Sequence, residues 1–246
     1  MANSDLPVPQ RWSGLSVHAR GHFLLFDKRS AFHWNAETGA RLLFIAVAIE
    51  AIRIVAVEWL HPMLSLLILV LLLLAGALGL VRFVARLRLS QIGLHPWSEW
   101  SPVEKSYFVQ LLVIANVVFP LVFAHRLRVV LAQPSVLSTV WNVFVPYLFF
   151  GFYQEVVYRG ILQSEFVRRW GALIGILIAN LFYTFGPLHW YYFAVQRSLA
   201  VPMFASIFVI GLFFGVLFWR SSNLWIVAVI HGIGNAYIVG SLAAAR

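Results

Sequence analysis

The sequence contains no cysteine, and only 11% of its 246 residues are charged. The lack of cysteine excludes disulfides, thiol catalysis and thiolate metal sites. In a soluble domain about a quarter of the residues are charged and about half are apolar, whereas 61% of this chain is hydrophobic. The composition therefore predicts an integral membrane protein.

Acidic residues are scarce: 9 Asp and Glu stand against 18 Lys and Arg, which gives a net charge of +9. The basic residues cluster in loops beside apolar runs, a pattern typical of membrane orientation rather than of nucleic-acid binding. Most of these loop cations fall on the inner side if the N-terminus is cytoplasmic. The first 20 residues contain no apolar core of signal-peptide length. We therefore predict a bacterial inner-membrane protein with a cytoplasmic N-terminus and no nucleic-acid partner.

Seven apolar runs have the approximate length of a membrane span. They cover 41–59, 62–84, 105–125, a fourth run that ends near residue 170, 172–190, 202–219 and 224–242. This pattern predicts an all-α fold, a polytopic bundle of about seven to eight transmembrane helices. Residues 1–40 are polar and basic, and we expect a cytoplasmic or interfacial segment there, followed by one membrane domain at 41–246.

Two of these runs contain residues that disturb a simple span. Glu50 and Arg53 are three residues apart and share a helix face, so they are expected to form a structural ion pair that faces the bundle. Pro146 is expected to start or bend the fourth helix. Arg168 to Trp170 form a basic and aromatic boundary, which predicts the turn between the fourth and fifth spans.

Polar side chains recur inside three of the apolar runs. Glu155 and Arg159 are four residues apart in the fourth run, and His231 and Asn235 have the same spacing in the last run. Residues four apart lie on one face of a helix. His189 ends the fifth run. Ionisable groups are costly inside a membrane and mark functional sites there, so we expect these side chains to meet near the middle of the bilayer.

Three kinds of chemistry suit this set. Glu155 with His189 could activate a water for attack on a peptide carbonyl, while His231 and Asn235 stabilise the oxyanion. Two histidines and a glutamate also match hydrolytic zinc sites, but the compact His-Glu-x-x-His spacing is absent; we therefore predict no cofactor, with zinc as the minority alternative. Ion or solute translocation is the third possibility, although no inverted repeat supports it. A purely structural ion pair between Glu155 and Arg159 is the remaining alternative.

Taken together, the motifs resemble those of the CPBP intramembrane proteases, which include CAAX prenyl endopeptidases and bacterial bacteriocin-processing or immunity relatives. The family pattern is Glu-Glu-x-x-x-Arg, then Phe-x-x-x-His, then His-x-x-x-Asn. The corresponding stretches here are Gln154 to Arg159, Phe185 to His189 and His231 to Asn235. The resemblance covers about residues 90–240 and implies proteolysis by a glutamate-activated water. In that scheme the histidines and the asparagine position the water and the oxyanion, and no metal is needed.

The chain departs from the family at the first acid, usually assigned as the base, which is Gln154 here. An amide can hold a water but cannot accept its proton at neutral pH. Either Glu155 is the base, or the chain is an inactive relative, or a glutamate was deliberately replaced. We favour Glu155, the one acid in the motif, whose competing role is that of counter-ion to Arg159.

The expected partners are the lipid bilayer and a protein substrate. We expect cleavage near a membrane-embedded or C-terminal segment of a membrane protein or anchored peptide. Prenylated CAAX ends are not expected in a bacterial membrane. Residues 158–165 also resemble relatives associated with C-terminal sorting signals, which implies processing of a C-terminal anchor. The alternative function is a catalytically inactive membrane binding or immunity protein on the same fold.

Overall fold

The computed structural model describes residues 32–60, 64–189, 193 and 200–240. These residues form helices and turns without any strand, which confirms the predicted all-α fold. Most of the predicted N-terminal segment, at 1–31, lies outside the described residues. The last residue of the predicted fifth span, 190, and two of the loop cations, Arg197 and Arg246, also lie outside the described residues.

Nine α-helices make up the described chain. They are α1 (Ala36–Trp59), α2 (Leu66–Phe83), α3 (Pro102–Val122), α4 (Ala124–Leu131), α5 (Val136–Thr139), α6 (Val145–Glu155), α7 (Ser164–Phe185), α8 (Ala200–Ser221) and α9 (Leu224–Asn235). Three π-helical segments directly continue α5, α6 and α9: π1 (Val140–Phe144), π2 (Val156–Gln163) and π3 (Ala236–Gly240). Each of the seven predicted runs therefore contains helix.

Four helical segments are long and apolar enough to cross a bilayer. They are Leu66–Phe83, Pro102–Val122, Val136–Phe185 and Ala200–Ser221, and the apolar segment Leu224–Gly240 is shorter. Val136–Phe185 is a single helical run of 50 residues, which covers most of the predicted fourth and fifth spans together. The chain is thus an integral membrane helical bundle, and the count of seven to eight spans stays a prediction.

The 50-residue run reverses its direction at Gly171, next to the predicted turn at Trp170. Gly171 interrupts α7 with φ 78° and ψ 172°, a conformation that essentially only glycine adopts. A Cβ atom on Gly175 would lie 2.4 Å from the backbone nitrogen of Val167, so the two limbs of α7 touch directly after the turn. The reversal lays the second limb of α7 alongside π2.

Polar side chains define where several helices begin. Asn35, Ser65, Ser101 and Asn223 are the N-cap residues of α1, α2, α3 and α9, and each accepts a hydrogen bond from an amide in the first turn. Such bonds satisfy donors that the helix itself leaves unpaired.

The structure shows how the helices accommodate the charged pair and the proline that interrupt two of the apolar runs. Arg53 Nη2 lies 2.9 Å from Glu50 Oε2, and both side chains are buried in the bundle. This confirms the predicted ion pair on α1. Pro146 lies directly after π1 within the continuous helical run. In a regular α-helix its ring would clash with the carbonyl group four residues earlier, and that residue, Asn142, lies inside the irregular π1 segment.

Replacement of Gly171 by alanine should destabilise the bundle, because a Cβ atom is strained at this backbone conformation. We expect the free energy of unfolding to fall by about 1–3 kcal/mol, measured by thermal unfolding in detergent micelles. Gly79→Ala is the matched control, since a Cβ atom at Gly79 meets no atom within 4 Å. Equal stability of the two variants would contradict this account of the turn.

Candidate active site

The side chains of Glu155 and His231 form a direct contact between α6 and α9. Glu155 is fully buried, and its Oε1 lies 2.7 Å from His231 Nδ1. An ionised carboxylate only accepts hydrogen bonds, so Nδ1 of His231 is the donor. In a neutral imidazole the other nitrogen then carries the lone pair. That nitrogen, Nε2, lies 3.3 Å from the hydroxyl of Tyr183, which can donate to it.

Two glycines allow α6 and α9 to approach closely enough for this contact. A Cβ atom on Gly151, one turn before Glu155, would lie 2.6 Å from Gly232 Cα. A Cβ atom on Gly232, the neighbour of His231, would lie 2.4 Å from the carbonyl oxygen of Leu148. Neither position has room for a side chain. Small residues of this kind let membrane helices pack backbone against backbone.

Arg159 lies one turn after Glu155 and is also fully buried. Its Nε is 3.5 Å from Glu155 Oε2. Its Nη2 donates to the carbonyl oxygen of Gly211 at 3.0 Å and to Asn180 Oδ1 at 3.4 Å. The guanidinium also lies 4.8 Å from the ring centroid of Tyr183. The cation is thus held by groups from α7 and α8 as well as by Glu155.

His189 reaches this region through Tyr183. Its Nδ1 lies 2.8 Å from the carbonyl oxygen of Tyr183, and because a carbonyl oxygen only accepts, Nδ1 is the donor. The Nε2 of a neutral His189 therefore carries a lone pair. The imidazole stands edge-on to the ring of Tyr183, with centroids 4.8 Å apart, and only 8% of His189 is exposed.

Gln154 and Asn235 form a second contact between α6 and α9. Asn235 Nδ2 donates to Gln154 Oε1 at 2.9 Å, with Gln154 buried and Asn235 partly buried. The amide of Gln154 thus stands where the resemblance expects the first acid. One amide hydrogen of Asn235 is used in this bond, and the group has a second one.

The six residues singled out from the sequence all lie in this region. They are Gln154, Glu155, Arg159, His189, His231 and Asn235. The sequence predicts that Glu155 acts together with His189, whereas the structure brings His231 into direct contact with the carboxylate. His189 is linked to the same site through Tyr183, which also contacts His231.

Three buried polar residues of α7 are not among the site residues predicted from the sequence. Asn180, Tyr183 and Thr184 are all buried, and the first two contact Arg159 and the histidines. Their spacing of three and four residues places them on one helix face. A polar stripe in an otherwise apolar span was the available signal, because such residues face the bundle interior.

Within the described ranges, no group of three or more His, Asp or Glu side chains is arranged to hold a metal ion. The prediction that no cofactor is needed stays a prediction.

The fold and the buried polar side chains together define a polytopic membrane protein with an intramembrane polar site. A comparison with protein families matches residues 136–237 to the family described as Rce1-like, type II CAAX prenyl endopeptidase Rce1-like. The matched segment runs from α5 into π3 and contains all six predicted site residues. This segment is therefore similar to the Rce1-like family, and the predicted resemblance to the CPBP family is confirmed. Comparisons with curated proteins and with solved structures find no match.

The close approach of α6 and α9 should be sensitive to one added methyl group. We expect Gly232→Ala to lower the free energy of unfolding by about 1–3 kcal/mol, because overpacking shifts the backbone. Gly234→Ala on the same helix is the control, since its Cβ would meet Phe119 Cζ at an ordinary 3.5 Å. Thermal unfolding in lipid nanodiscs measures both variants, and equal losses would contradict the packing described here.

Proposed function

We propose that this protein is an intramembrane endopeptidase in which Glu155 is the general base. The observation that carries the proposal is the buried carboxylate of Glu155, held at 2.7 Å by His231 inside the segment that matches the Rce1-like family. A buried acid that a histidine holds in place is suited to proton transfer, which needs a positioned base within hydrogen-bond reach of the proton.

The second oxygen of Glu155 supports its role as base. Oε2 lies beside Arg159, and it makes no hydrogen bond to any residue in the described part of the chain. Nε and Nη1 of Arg159 have no hydrogen-bond partner there either. Such buried polar atoms favour a bound water. The positive charge of Arg159 compensates the buried carboxylate, whose isolated charge would be costly.

In the proposed reaction, the oxygen of this water attacks the carbonyl carbon of the scissile peptide bond. One proton of the water passes to Glu155. The C–N bond then breaks as the leaving nitrogen takes that proton from Glu155, while the hydrogen bond from His231 Nδ1 holds the carboxyl group in place. The products are a carboxyl terminus and an amine, so water is the only co-reactant.

The remaining residues position the water and the oxyanion. Nε2 of His189 accepts a hydrogen from the water, because Nδ1 is already the donor to Tyr183. Asn235 donates its second amide hydrogen to the oxyanion, and one such donor contributes about 3 kcal/mol at a water-excluded site. Gln154 orients Asn235 through their 2.9 Å bond.

For the substrate, we propose a membrane protein or a C-terminally anchored peptide that is cut near its membrane segment. The apolar surroundings of the site support this class, since such a segment can enter from the bilayer. The host membrane in this proposal is a bacterial inner membrane, the N-terminus is cytoplasmic, and cleavage releases a C-terminal anchor. The family description names prenyl endopeptidases, so a prenylated end is the competing substrate.

A second candidate is a catalytically inactive membrane binding or immunity protein. The observation that favours it is Gln154, an amide at the position of the family's first acid, which is already bonded to Asn235. In that case Glu155 acts as the counter-ion of Arg159 only.

The proposal predicts that Glu155→Gln abolishes cleavage. We expect a loss of about a hundredfold or more, because an amide cannot accept the proton of the water. His231→Ala and His189→Ala should each lose much of the activity. The measurement is fragment masses after incubation of the full chain in liposomes with two probes: an unlipidated single-span protein and a farnesylated CAAX peptide. Cleavage of the first probe and not the second supports the proposed substrate class.

Glu37→Gln is the control, because Glu37 is an exposed acid on the first turn of α1. It should cut like the native chain. Equal cleavage by the native chain and Glu155→Gln would remove Glu155 as base. Cleavage by Gln154→Glu alone would instead identify the chain as the inactive form of the second candidate.

Exhaustive chelation should leave cleavage unchanged, since the proposed water is activated by a carboxylate. The measurement repeats the fragment-mass assay after dialysis against a zinc chelator. A loss of activity that added zinc restores would overturn the metal-free account.

A further inference from the structure

A second buried polar cluster lies beside the proposed site and has no part in its chemistry. Glu50 of α1 accepts hydrogen bonds from the hydroxyl of Tyr153 on Oε1 at 2.8 Å and from that of Tyr158 on Oε2 at 3.1 Å. Arg53 donates twice to Oε2, from Nε at 3.0 Å and Nη2 at 2.9 Å. All four side chains are buried. We call these residues the Glu50 cluster.

The spacing of the two tyrosines ties the Glu50 cluster to the backbone geometry of the catalytic helix. Tyr153 and Tyr158 are five residues apart. In a regular α-helix this separation turns side chains about 140° away from each other, so one carboxylate could not readily hold both hydroxyls. The π segment π2 begins at Val156, between them. A π-helix bonds residue i to residue i+5 and therefore turns less per residue than an α-helix, which brings the side chain of Tyr158 closer to the face that carries Tyr153.

The same π segment determines how the site residues face one another. Glu155 is the last residue of α6, and Arg159 lies within π2, which begins at the next residue. A return to α-helical winding would rotate Arg159 relative to Glu155. It would also move Tyr158, whose ring packs edge-on against Tyr183 at 5.5 Å between centroids. Tyr183 in turn contacts Nε2 of His231 at 3.3 Å.

We propose that Glu50 is a positioning residue for the site. Its two carboxylate oxygens hold Tyr153 and Tyr158 in the π-helical register, and that register places the ring of Tyr158 against Tyr183, which contacts His231. Arg53 holds the carboxylate in place and neutralises it, which allows an acid to serve as a clamp inside the membrane. The kinetic part of this inference rests on the proposed peptidase function, whereas the structural part does not.

The kinetic test compares Glu50→Gln, Tyr158→Phe and the double variant in the liposome cleavage assay. We expect kcat to fall about ten- to a hundredfold with KM unchanged, because small misplacements of reacting groups slow the chemical step. The double variant should be no slower than the slower single variant, since both changes break one interaction. Tyr153→Phe, which removes only a hydroxyl, should also lower kcat.

Glu165→Gln is the matched control for the kinetic test. Glu165 is a fully buried acid that pairs with Arg168 and Arg169 and accepts from Trp34 Nε1. It lies ten residues beyond Glu155, about 15 Å along a helix. We expect this variant to lose thermal stability and to keep the native kcat at temperatures where it is folded. A native kcat in Glu50→Gln and Tyr158→Phe of an active chain would overturn the proposal.

A second readout does not depend on activity. Hydrogen exchange of residues 156–163, followed by mass spectrometry of the full chain in detergent micelles, reports the opening of π2. We expect about tenfold faster exchange in Glu50→Gln and Tyr158→Phe, because a lost hydrogen bond of this kind has about that effect, and native exchange there in Glu165→Gln. Native exchange in all three variants would overturn the proposal. If the native chain cuts neither probe, the peptidase proposal fails, and the exchange result still decides this one.

Discussion

The contact between the carboxylate of Glu155 and the imidazole of His231 is the interaction on which the rest of the site depends. A buried acid in an apolar bundle is stable only when partners compensate its charge. The bundle supplies a histidine from α9 and an arginine one turn further along the same helix. Gly151 and Gly232 make that contact possible, because any side chain at either position would separate α6 from α9.

The irregular winding after Glu155 has a physical reason as well. A π segment frees some backbone groups from the regular ladder and is frequent at functional sites. Here it lets side chains of one helix reach two neighbouring helices. Arg159 and Gln163 reach carbonyl oxygens of α8 at Gly211 and Gly215, while Tyr158 reaches α1. Two glycines on α8 make those carbonyls accessible, since Cβ atoms there would lie 2.2 Å and 2.9 Å from side chains of α7 and π2.

Much of this arrangement could be predicted from the sequence, because a polar residue in an apolar run is conspicuous. The spacing of Glu155 and Arg159, the ion pair of Glu50 and the turn near Trp170 follow from local rules of helices and membranes. The pairing of Glu155 with His231 rather than His189 could not be predicted, since it depends on how two distant glycines pack. The role of Tyr183 could not be predicted for a similar reason. Tyrosine is common in apolar spans, and only the fold brings its hydroxyl to His231 and its carbonyl oxygen to His189.

The central claim is that His231 Nδ1 donates a hydrogen bond to the buried carboxylate of Glu155 inside the membrane, and magnetic resonance tests it most directly. The full chain is labelled with ¹⁵N-histidine and ¹³C-glutamate and studied by solid-state NMR in lipid bilayers. The account predicts a short dipolar contact between His231 Nδ1 and the side-chain carboxyl carbon of Glu155, which disappears in His231→Ala. A His231 signal without any coupling to Glu155 would contradict it.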